Sequence, residues 1–361
     1  MKNKSFLAEG QEGPVDLFDY ADSLRYGELH MKADPSIGLR AIVAVHNLSR
    51  GPAIGGCRFI EYDSTDDALR DAMRLARGMT YKAAISGLDH GGGKAVIVRP
   101  KGLTEEQRAQ IFHAFGAFVD ELGGKYITCE DSGTRVSDMN IVHEHTRHVL
   151  GFDPSKGSSG DPSPFTAFGV RRGIQAAVKF KLGRDDLEGL HVAVQGVGNV
   201  GYHLARELHE LGARLTVTDV SAGAIARCVK EFGAAEVAPG EIYGVDCDIF
   251  APCALGAVIN DHTIPQLKCS IVAGASNNQL AEDHHGEALR QLGITYAPDY
   301  AINAGGLINV AEEYVKYDAG VAREKCSRIY DTIFQILERA KAEEQPEGLV
   351  ADRIVDEMIF G

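Results

Sequence analysis

Two lysines and one aspartate in the first half of the chain are spaced for proton chemistry on a small substrate. A helical pattern begins at Ser64, with Asp67 three residues on in a capping-box arrangement, and carries apolar residues at Ala68, Ala72, Leu75 and Met79. The same spacing continued by three residues reaches Lys82, which thus extends the apolar stripe of its own helix, provided the helix persists past Gly78. Gly91, Gly92 and Gly93 clear space beside Lys94, which opens the strand-like run KAVIVRP at 94 to 100. Both amines are therefore expected towards the interior of one domain. Burial and a like-charged neighbour disfavour an ammonium group, which suits such a lysine to general-base work. Asp131 closes the run KYITCED at 125 to 131, before a turn-prone Ser-Gly-Thr, and is the natural acidic partner. Loops at strand C-termini line the crevice of open α/β sheets. Spacing alone leaves a plainer alternative open, in which Lys82 snorkels to solvent, Lys94 covers a strand end and Asp131 caps a turn.

A second chemical pattern lies further on. Gly196, Gly198 and Gly201 form G-x-G-x-x-G between the β-type run HVAVQ and a helix with apolar positions Val200, Leu204, Leu208 and Leu211. The first glycine permits a tight turn, the second lets backbone approach a pyrophosphate, and the third lets helix sit against strand. Asn199 and Val200 open that helix, whose free N–H groups and positive dipole end suit a diphosphate. Eighteen residues past Gly201, at the end of RLTVTDV, Asp219 is placed to accept hydrogen bonds from ribose hydroxyls and to repel a 2′-phosphate, so NAD is expected over NADP. The alternatives are a purely structural α/β unit with turn glycines, and an FAD site, which the mid-chain position disfavours.

These residues need an α/β framework, and the chain has room for one. At 361 residues two domains are expected. The run GFDPSKGSSGDPSP, 151 to 164, is the clearest compositional break, giving a first domain at 1–150 and a second at 151–329. Strand-like runs at 39–46, 94–100 and 125–131 alternate with helical patterns before the break, and strand, glycine turn, helix and strand recur after it, as in a parallel sheet wound with helices. The final segment reads as helical, with Tyr330, Ile333, Ile336 and Leu337 at helical spacing. The net charge of −14 disfavours nucleic acid and anionic membranes. No apolar run is long enough to span a bilayer, and the start MKNKSFLAEGQEG does not read as a secretory signal, so a cytoplasmic location is expected. Seven scattered cysteines, never spaced C-x-x-C, are expected as reduced and mostly buried thiols, with Cys253 inert in its apolar run. GLDHGGGKAVIV fails as a phosphate loop, because Gly87 and Gly93 are wrongly spaced and Ala95 stands where a hydroxyl is needed. HEHTRH, 143 to 148, is read as a solvated helix, since its histidines do not share a helical face.

Taken together, GPAIGG (51–56), RGMTYKAA (77–84), GGGKAVI (91–97), the Gly196 motif, APCALG (251–256), GASNNQL (274–280) and APDYAINAGGLINV (297–310) resemble the amino acid dehydrogenase family of leucine, valine, phenylalanine and glutamate dehydrogenases, most of all its leucine/valine branch. The resemblance covers nearly the whole chain. It implies an N-terminal α/β substrate domain, a C-terminal Rossmann-type NAD domain, and C-terminal helices (330–361) that return to the first domain. It also implies NAD-dependent oxidative deamination of an L-amino acid to a 2-oxo acid and ammonium, without a metal, in a homo-oligomer such as a dimer or octamer. Lys82 would bind the substrate carboxylate, Lys94 would activate water, and Asp131 would exchange protons with the amine. Thr166 and Asn277 would lie at the nicotinamide and Asn278 at the substrate carboxylate, while Ile54, Gly55, Cys129, Leu307 and Val310 would line the side-chain pocket. Cys129 and Leu307 stand where alanine and valine are common in leucine enzymes, and EDSGT replaces the commoner EDVGT. A branched-chain aliphatic substrate is expected. Phenylalanine is the alternative within the family, and a silent NAD-binding regulatory protein the alternative outside it. A hydroxy-acid dehydrogenase is disfavoured, because such chemistry normally uses a positioned histidine as acid and base, and the nearby His90 is one candidate that nothing singles out.

Overall fold

The structure is a computed structural model and describes residues 16–314 and 316–361. The opening residues 1–13 read above as lacking a secretory signal lie outside these. The chain divides into two compact units, one of residues 16–161, 309–319 and 358–361 among those described, the other of 162–308 and 320–357. The division falls at 161/162, not at 150/151.

The first unit is built on a mixed sheet of β1 (Glu28–Asp34), β2 (Leu39–Asn47), β3 (Ala53–Ile60), β4 (Gly91–Val98) and β5 (Tyr126–Glu130), in the order β1-β2-β4-β3-β5. β2 runs antiparallel to β1 and to β4, whereas β3 runs parallel to β4 and to β5. The helices of this unit are α1 (Leu17–Ser23), α2 (Thr65–Ile85), α3 (Glu105–Glu121) and α4 (Val136–His143). Strand alternation gives the sheet two apolar faces. Val43, Ala95, Ile97 and Tyr126 pack with Phe112 and Phe115 of α3, and Ile42, Ala44 and Val96 pack with Ala72, Met73 and Ala76 of α2.

Ser64 caps α2, its hydroxyl accepting from the Asp67 N–H at 3.1 Å, and the helix continues without a break through Gly78. Its buried line runs through Ala68, Leu69, Ala72, Met73, Ala76 and Thr80. Leu75, Met79 and Lys82 follow one another along a half-buried flank of the same helix.

The second unit holds a wholly parallel sheet of β6 (His191–Gln195), β7 (Arg214–Thr218), β8 (Ala235–Glu236), β9 (Ile249–Pro252), β10 (Ile271–Val272) and β11 (Thr295–Tyr296), in the order β11-β10-β9-β6-β7-β8. Strand order reverses between β6 and β9, the arrangement in which open α/β sheets bind ligands at their strand C-termini. Around it lie α5 (Ser163–Leu182), α6 (Asn199–Glu210), α7 (Ala222–Phe232), α8 (His284–Gln291) and α9 (Asp299–Ile302). The chain then forms α10 (Gly305–Ala311), α11 (Ala319–Ser327), α12 (Ile329–Glu343) and α13 (Glu347–Phe360).

The expected return of 330–361 to the first domain is corrected here: residues 320–357 group with the nucleotide-type unit, and only 309–319 and 358–361 group with the first. The reason lies in α12, whose Ile329, Ile333, Ile336 and Leu337 are buried. Gly169 and Gly173 of α5 make room for it, since a Cβ at Gly169 would stand 2.6 Å from Ile329 and one at Gly173 would stand 3.4 Å from Ile333. α13 is tied to the same unit by Tyr300 Oη donating to Asp352 at 2.8 Å and by the Tyr296 N–H donating to the Glu347 carboxylate at 3.3 Å. In the first unit, Glu313 accepts from the N–H groups of Gly151 and Ser159 at 3.0 and 2.9 Å, so the segment 309–319 secures the Gly/Ser-rich run. All seven cysteines are free thiols, five of them buried. Among the described residues no helix is long and apolar enough to cross a membrane.

Candidate active site

In the first unit, the α2 face of the sheet carries Lys94 on β4 and Ile54, Gly56 and Arg58 on β3. Cys129 on β5 and Asp131 just beyond it share that face. Cross-strand pairs Ala44–Lys94, Ile54–Gly92 and Gly56–Cys129 fix the neighbours. Lys94 Nζ meets Asp131 Oδ2 at 2.5 Å, their side chains being 7% and 22% exposed. Glycine is required for that meeting. A Cβ at Gly56 would stand 2.7 Å from the Asp131 Cβ, so only a bare α-carbon lets the aspartate cross β3 towards the lysine.

Gly55 does something else. Its Cβ position falls 1.7 Å from the Gly93 carbonyl oxygen, so its bareness draws β3 onto β4 and opens nothing on the Asp131 side. Gly55, expected as a pocket wall, is thus held against β4, and Gly56 has the position facing Asp131. Gly92 works in the same way against α2, where a Cβ would stand 2.0 Å from the Thr80 nitrogen. The end of α2 thereby lies on the start of β4, with Lys82 two residues beyond Thr80 and Lys94 two beyond Gly92. Ile54 is fully buried and Cys129 half-buried. Burial pushes the Cys129 thiol up to about 12, so it stays neutral and acts as a small apolar surface.

Asp131 is held in place by its turn and by charge. Its N–H donates to Thr134 Oγ1 at 2.8 Å, and that hydroxyl donates back to the Asp131 carbonyl at 2.7 Å. Burial alone would raise its carboxyl, but Lys94 and Arg58 beside it outweigh this and hold it below the ordinary carboxylate range. Arg58 donates through Nε to Asp131 at 3.2 Å and through a terminal nitrogen to Asp71 at 2.7 Å. Asp71 also accepts from Tyr62 Oη at 2.7 Å and from Arg74 at 3.0 Å. Sequence reasoning missed Arg58. The available signal was an arginine inside the otherwise apolar, glycine-rich run GPAIGGCRFI. His90, the rival acid–base group, donates from Nδ1 to the Pro52 carbonyl at 3.2 Å.

The second unit presents the glycine loop after β6. Gly196 adopts φ +92°, in the left-handed region, and a Cβ there would strike Ala254 at 2.6 Å. A Cβ at Gly201 would stand 1.9 Å from the Gly196 carbonyl oxygen, so this glycine lets α6 sit against its strand. Gly198 has open space at its Cβ position and is exposed together with Asn199, while Val200 is half-buried. No side chain caps α6, which leaves its first N–H groups available to a phosphate. Asp219 follows β7 and accepts from the Val197 N–H through Oδ2 at 2.8 Å and from the Ser221 N–H through Oδ1 at 2.9 Å. Each oxygen keeps a lone pair, so two ribose hydroxyls still have acceptors. An open second glycine, an uncapped helix start and an oriented acid fit a dinucleotide.

Four further expected residues belong to this unit. Thr166 lies in the first turn of α5 and donates to the Pro162 carbonyl at 3.1 Å. Asn277 is exposed, and its Oδ1 accepts from Asn303 at 2.7 Å. Asn278 is exposed and adopts φ +51°, a conformation asparagine tolerates better than most residues. Leu307 is half-buried on α10. Val310, also half-buried on α10, falls in the first unit.

Residues 27–148 match the family model described as Glu/Leu/Phe/Val dehydrogenase, dimerisation domain, and residues 157–352 match the model described as Glutamate/Leucine/Phenylalanine/Valine dehydrogenase. The chain is 52% identical to a leucine dehydrogenase of Geobacillus stearothermophilus over 345 residues, covering 96% of this chain and 94% of the relative. It is 45% identical to an L-tryptophan dehydrogenase of Nostoc punctiforme over 323 residues, or 89% and 90% of the two chains. The crystal structure of the Nostoc punctiforme L-tryptophan dehydrogenase superposes with a TM-score of 0.86 at 41% identity, covering 95% of this chain and 98% of that one. With its mixed-sheet first unit, its Rossmann-type second unit and these relatives, the chain belongs to the glutamate/leucine/phenylalanine/valine dehydrogenase family of NAD-dependent amino acid dehydrogenases.

Proposed function

We propose that this chain oxidatively deaminates branched-chain aliphatic L-amino acids, leucine, valine and isoleucine, with NAD, and runs in reverse as a reductive amination of 2-oxo acids. The observation that carries this reading is the buried Lys94–Asp131 pair, in a chain that also presents an open dinucleotide loop. The reaction converts the amino acid, NAD⁺ and water into the 2-oxo acid, ammonium, NADH and a proton. NAD, when bound, accepts the hydride. The protein's part is orientation and proton management.

Lys82 holds the substrate carboxylate, with Asn278 as its second contact. Asp131, kept ionised by Lys94 and Arg58, takes the proton from the substrate ammonium, because hydride leaves the α-carbon only from a neutral amine. The resulting iminium needs a positioned water; Lys94, fixed on β4, gives up its ammonium proton to solvent and as the neutral amine takes a proton from that water as it adds to the iminium carbon. Thr166 and Asn277 face the nicotinamide, while Gly196, Gly198, Asn199, Val200, Gly201 and Asp219 hold the diphosphate and ribose. Ile54, Cys129, Leu307 and Val310 contact the substrate side chain. None of them offers a cation, so a γ-carboxylate would be desolvated without a partner.

An aromatic substrate is the second reading, favoured by the similarity to a tryptophan dehydrogenase. A panel of L-amino acids with NAD, followed by NADH absorbance, tests both readings. Leucine, valine and isoleucine are expected to lead. Phenylalanine or tryptophan leading would move the substrate assignment, and no NADH with any amino acid would reject the function. The working assembly is proposed as a homo-oligomer, dimer or octamer, in the cytoplasm. Light scattering on the purified chain checks the assembly.

A further inference from the structure

The HEHTRH segment does not form the solvated helix expected of it: α4 ends at His143 and Glu144 is its C-cap. His143 stacks on Phe152 at 4.1 Å between ring centroids, and His148 is buried, with Nδ1 at 2.9 Å from Tyr314 Oη. His145 turns instead to His113 on α3, a partner 32 residues away that spacing within the motif could not reveal.

We propose that His113, Glu144 and His145 form a surface site for a divalent cation of the zinc, nickel or copper kind. His113 Nδ1 and His145 Nε2 face each other at 2.8 Å, with Glu144 Oε2 3.9 Å from the same His113 nitrogen. The three donor atoms lie within 4.8 Å of one another. Metal–nitrogen bonds of about 2.0–2.1 Å set two nitrogens about 2.9 Å apart at a right angle and about 3.3 Å apart at the tetrahedral angle. The pair therefore needs only a small spreading of surface side chains to admit an ion. Gly116, one turn along α3 from His113, allows the approach, since a Cβ there would stand 3.1 Å from the His145 Cβ. Two imidazoles and one carboxylate select borderline transition ions over calcium and magnesium, which prefer all-oxygen sets.

The protons allow it. Without an ion, one ring donates to the other. Entry of a cation sends that proton to the donor ring's other nitrogen, and neither His113 Nε2 nor His145 Nδ1 is engaged by a protein hydrogen bond among the described residues. The rival cluster of Asp261, His284 and His285 lacks this freedom. His285 Nδ1 accepts the Glu282 N–H at 2.9 Å, which fixes the ring proton on Nε2, the atom that faces Asp261 at 3.3 Å. A cation there would have to strip a proton that has nowhere else to sit. Occupancy of the first site links α3 to the segment that continues into pairing with β5, where the Leu150 N–H donates to the Thr128 carbonyl at 2.8 Å.

Calorimetric titration of the chelator-stripped full chain with zinc chloride, and separately with magnesium chloride, tests the site. One saturable zinc site per chain and no magnesium site are expected. Zinc affinity should fall at least about tenfold in both His113→Ala and His145→Ala, fall less in Glu144→Gln, and stay unchanged in His284→Ala. Zinc should raise the melting temperature only where both histidines remain. No saturable zinc binding, binding that survives both histidine substitutions, or binding that is lost in His284→Ala would each overturn the site.

Discussion

At the scale of single residues, the case rests on groups whose neighbours set what they do. Replacing Lys94 by alanine removes the amine proposed to activate water, while the glycine loop belongs to the other unit. Turnover should therefore drop by about 10²- to 10⁴-fold, the usual worth of a general base, with NAD affinity retained in a fluorescence titration. Arg58 acts through Asp131 and is a positioning residue. In Arg58→Gln the aspartate loses one of the two cations that offset its burial, so its carboxyl ionises at a higher pH. The acid limb of kcat/KM against pH should move upward, and Arg58→Lys should move it back part of the way. An unmoved limb in Arg58→Gln would detach Asp131 from the proton step. The pairing of Lys94 with Asp131 was legible because a charged side chain next to glycines in an apolar run stands out. Gly56 was not, because its importance comes from a side chain on the neighbouring strand, a relation that spacing within β3 does not contain.

At the scale of elements, the unit formed by β6, its glycine loop, α6 and β7 was legible in full, since Gly196 and Gly201 answer local steric demands that recur in this geometry. Asp219→Ala removes the acceptor proposed for the ribose and also frees the N–H groups of Val197 and Ser221, so NAD should bind more weakly and the expected preference over NADP should shrink. Parallel titrations with both cofactors measure the ratio, and an unaltered ratio would remove Asp219 from cofactor selection. β1 and β3 were harder to see. β3 is interrupted by Gly55 and Gly56, which lower strand propensity locally but are dictated by Gly93 and Asp131 across the sheet. HEHTRH was misread for a related reason: residues past a helix end were assigned helical periodicity, and the partner of His145 lies on α3.

At the scale of the molecule, the two-part division was readable from the Gly/Ser/Pro-rich break, but the course of the last helices was not. An apolar stripe states that a helix is covered, and not by what. Here Gly169 and Gly173 on α5 decide it. The same region carries a pH dependence of stability. Burial pushes the Glu347 carboxyl up to about 7, against 4.5 for an ordinary glutamate, despite its hydrogen bond from the Tyr296 N–H. Between those values the unfolded chain releases a proton that the folded chain keeps, so stability falls as pH rises from 4.5 to about 7 and is then level. The whole effect is on the order of 3 kcal/mol. Glu347→Gln should accordingly gain stability above neutral pH and little in acid, as read by urea unfolding at several pH values. A gain that is equal at all pH values would show that folding does not shift the Glu347 carboxyl.

Asp219 carries one further consequence. Because one of its oxygens is tethered to the glycine loop at Val197 and the other to its own turn at Ser221, its rotamer is chosen when the chain folds, not when a nucleotide arrives. The entropy of fixing that side chain is thus charged to folding, and the association step is relieved of it. Recognition of the ribose should then discriminate sharply even among ligands too small to organise the loop themselves, such as adenosine alone.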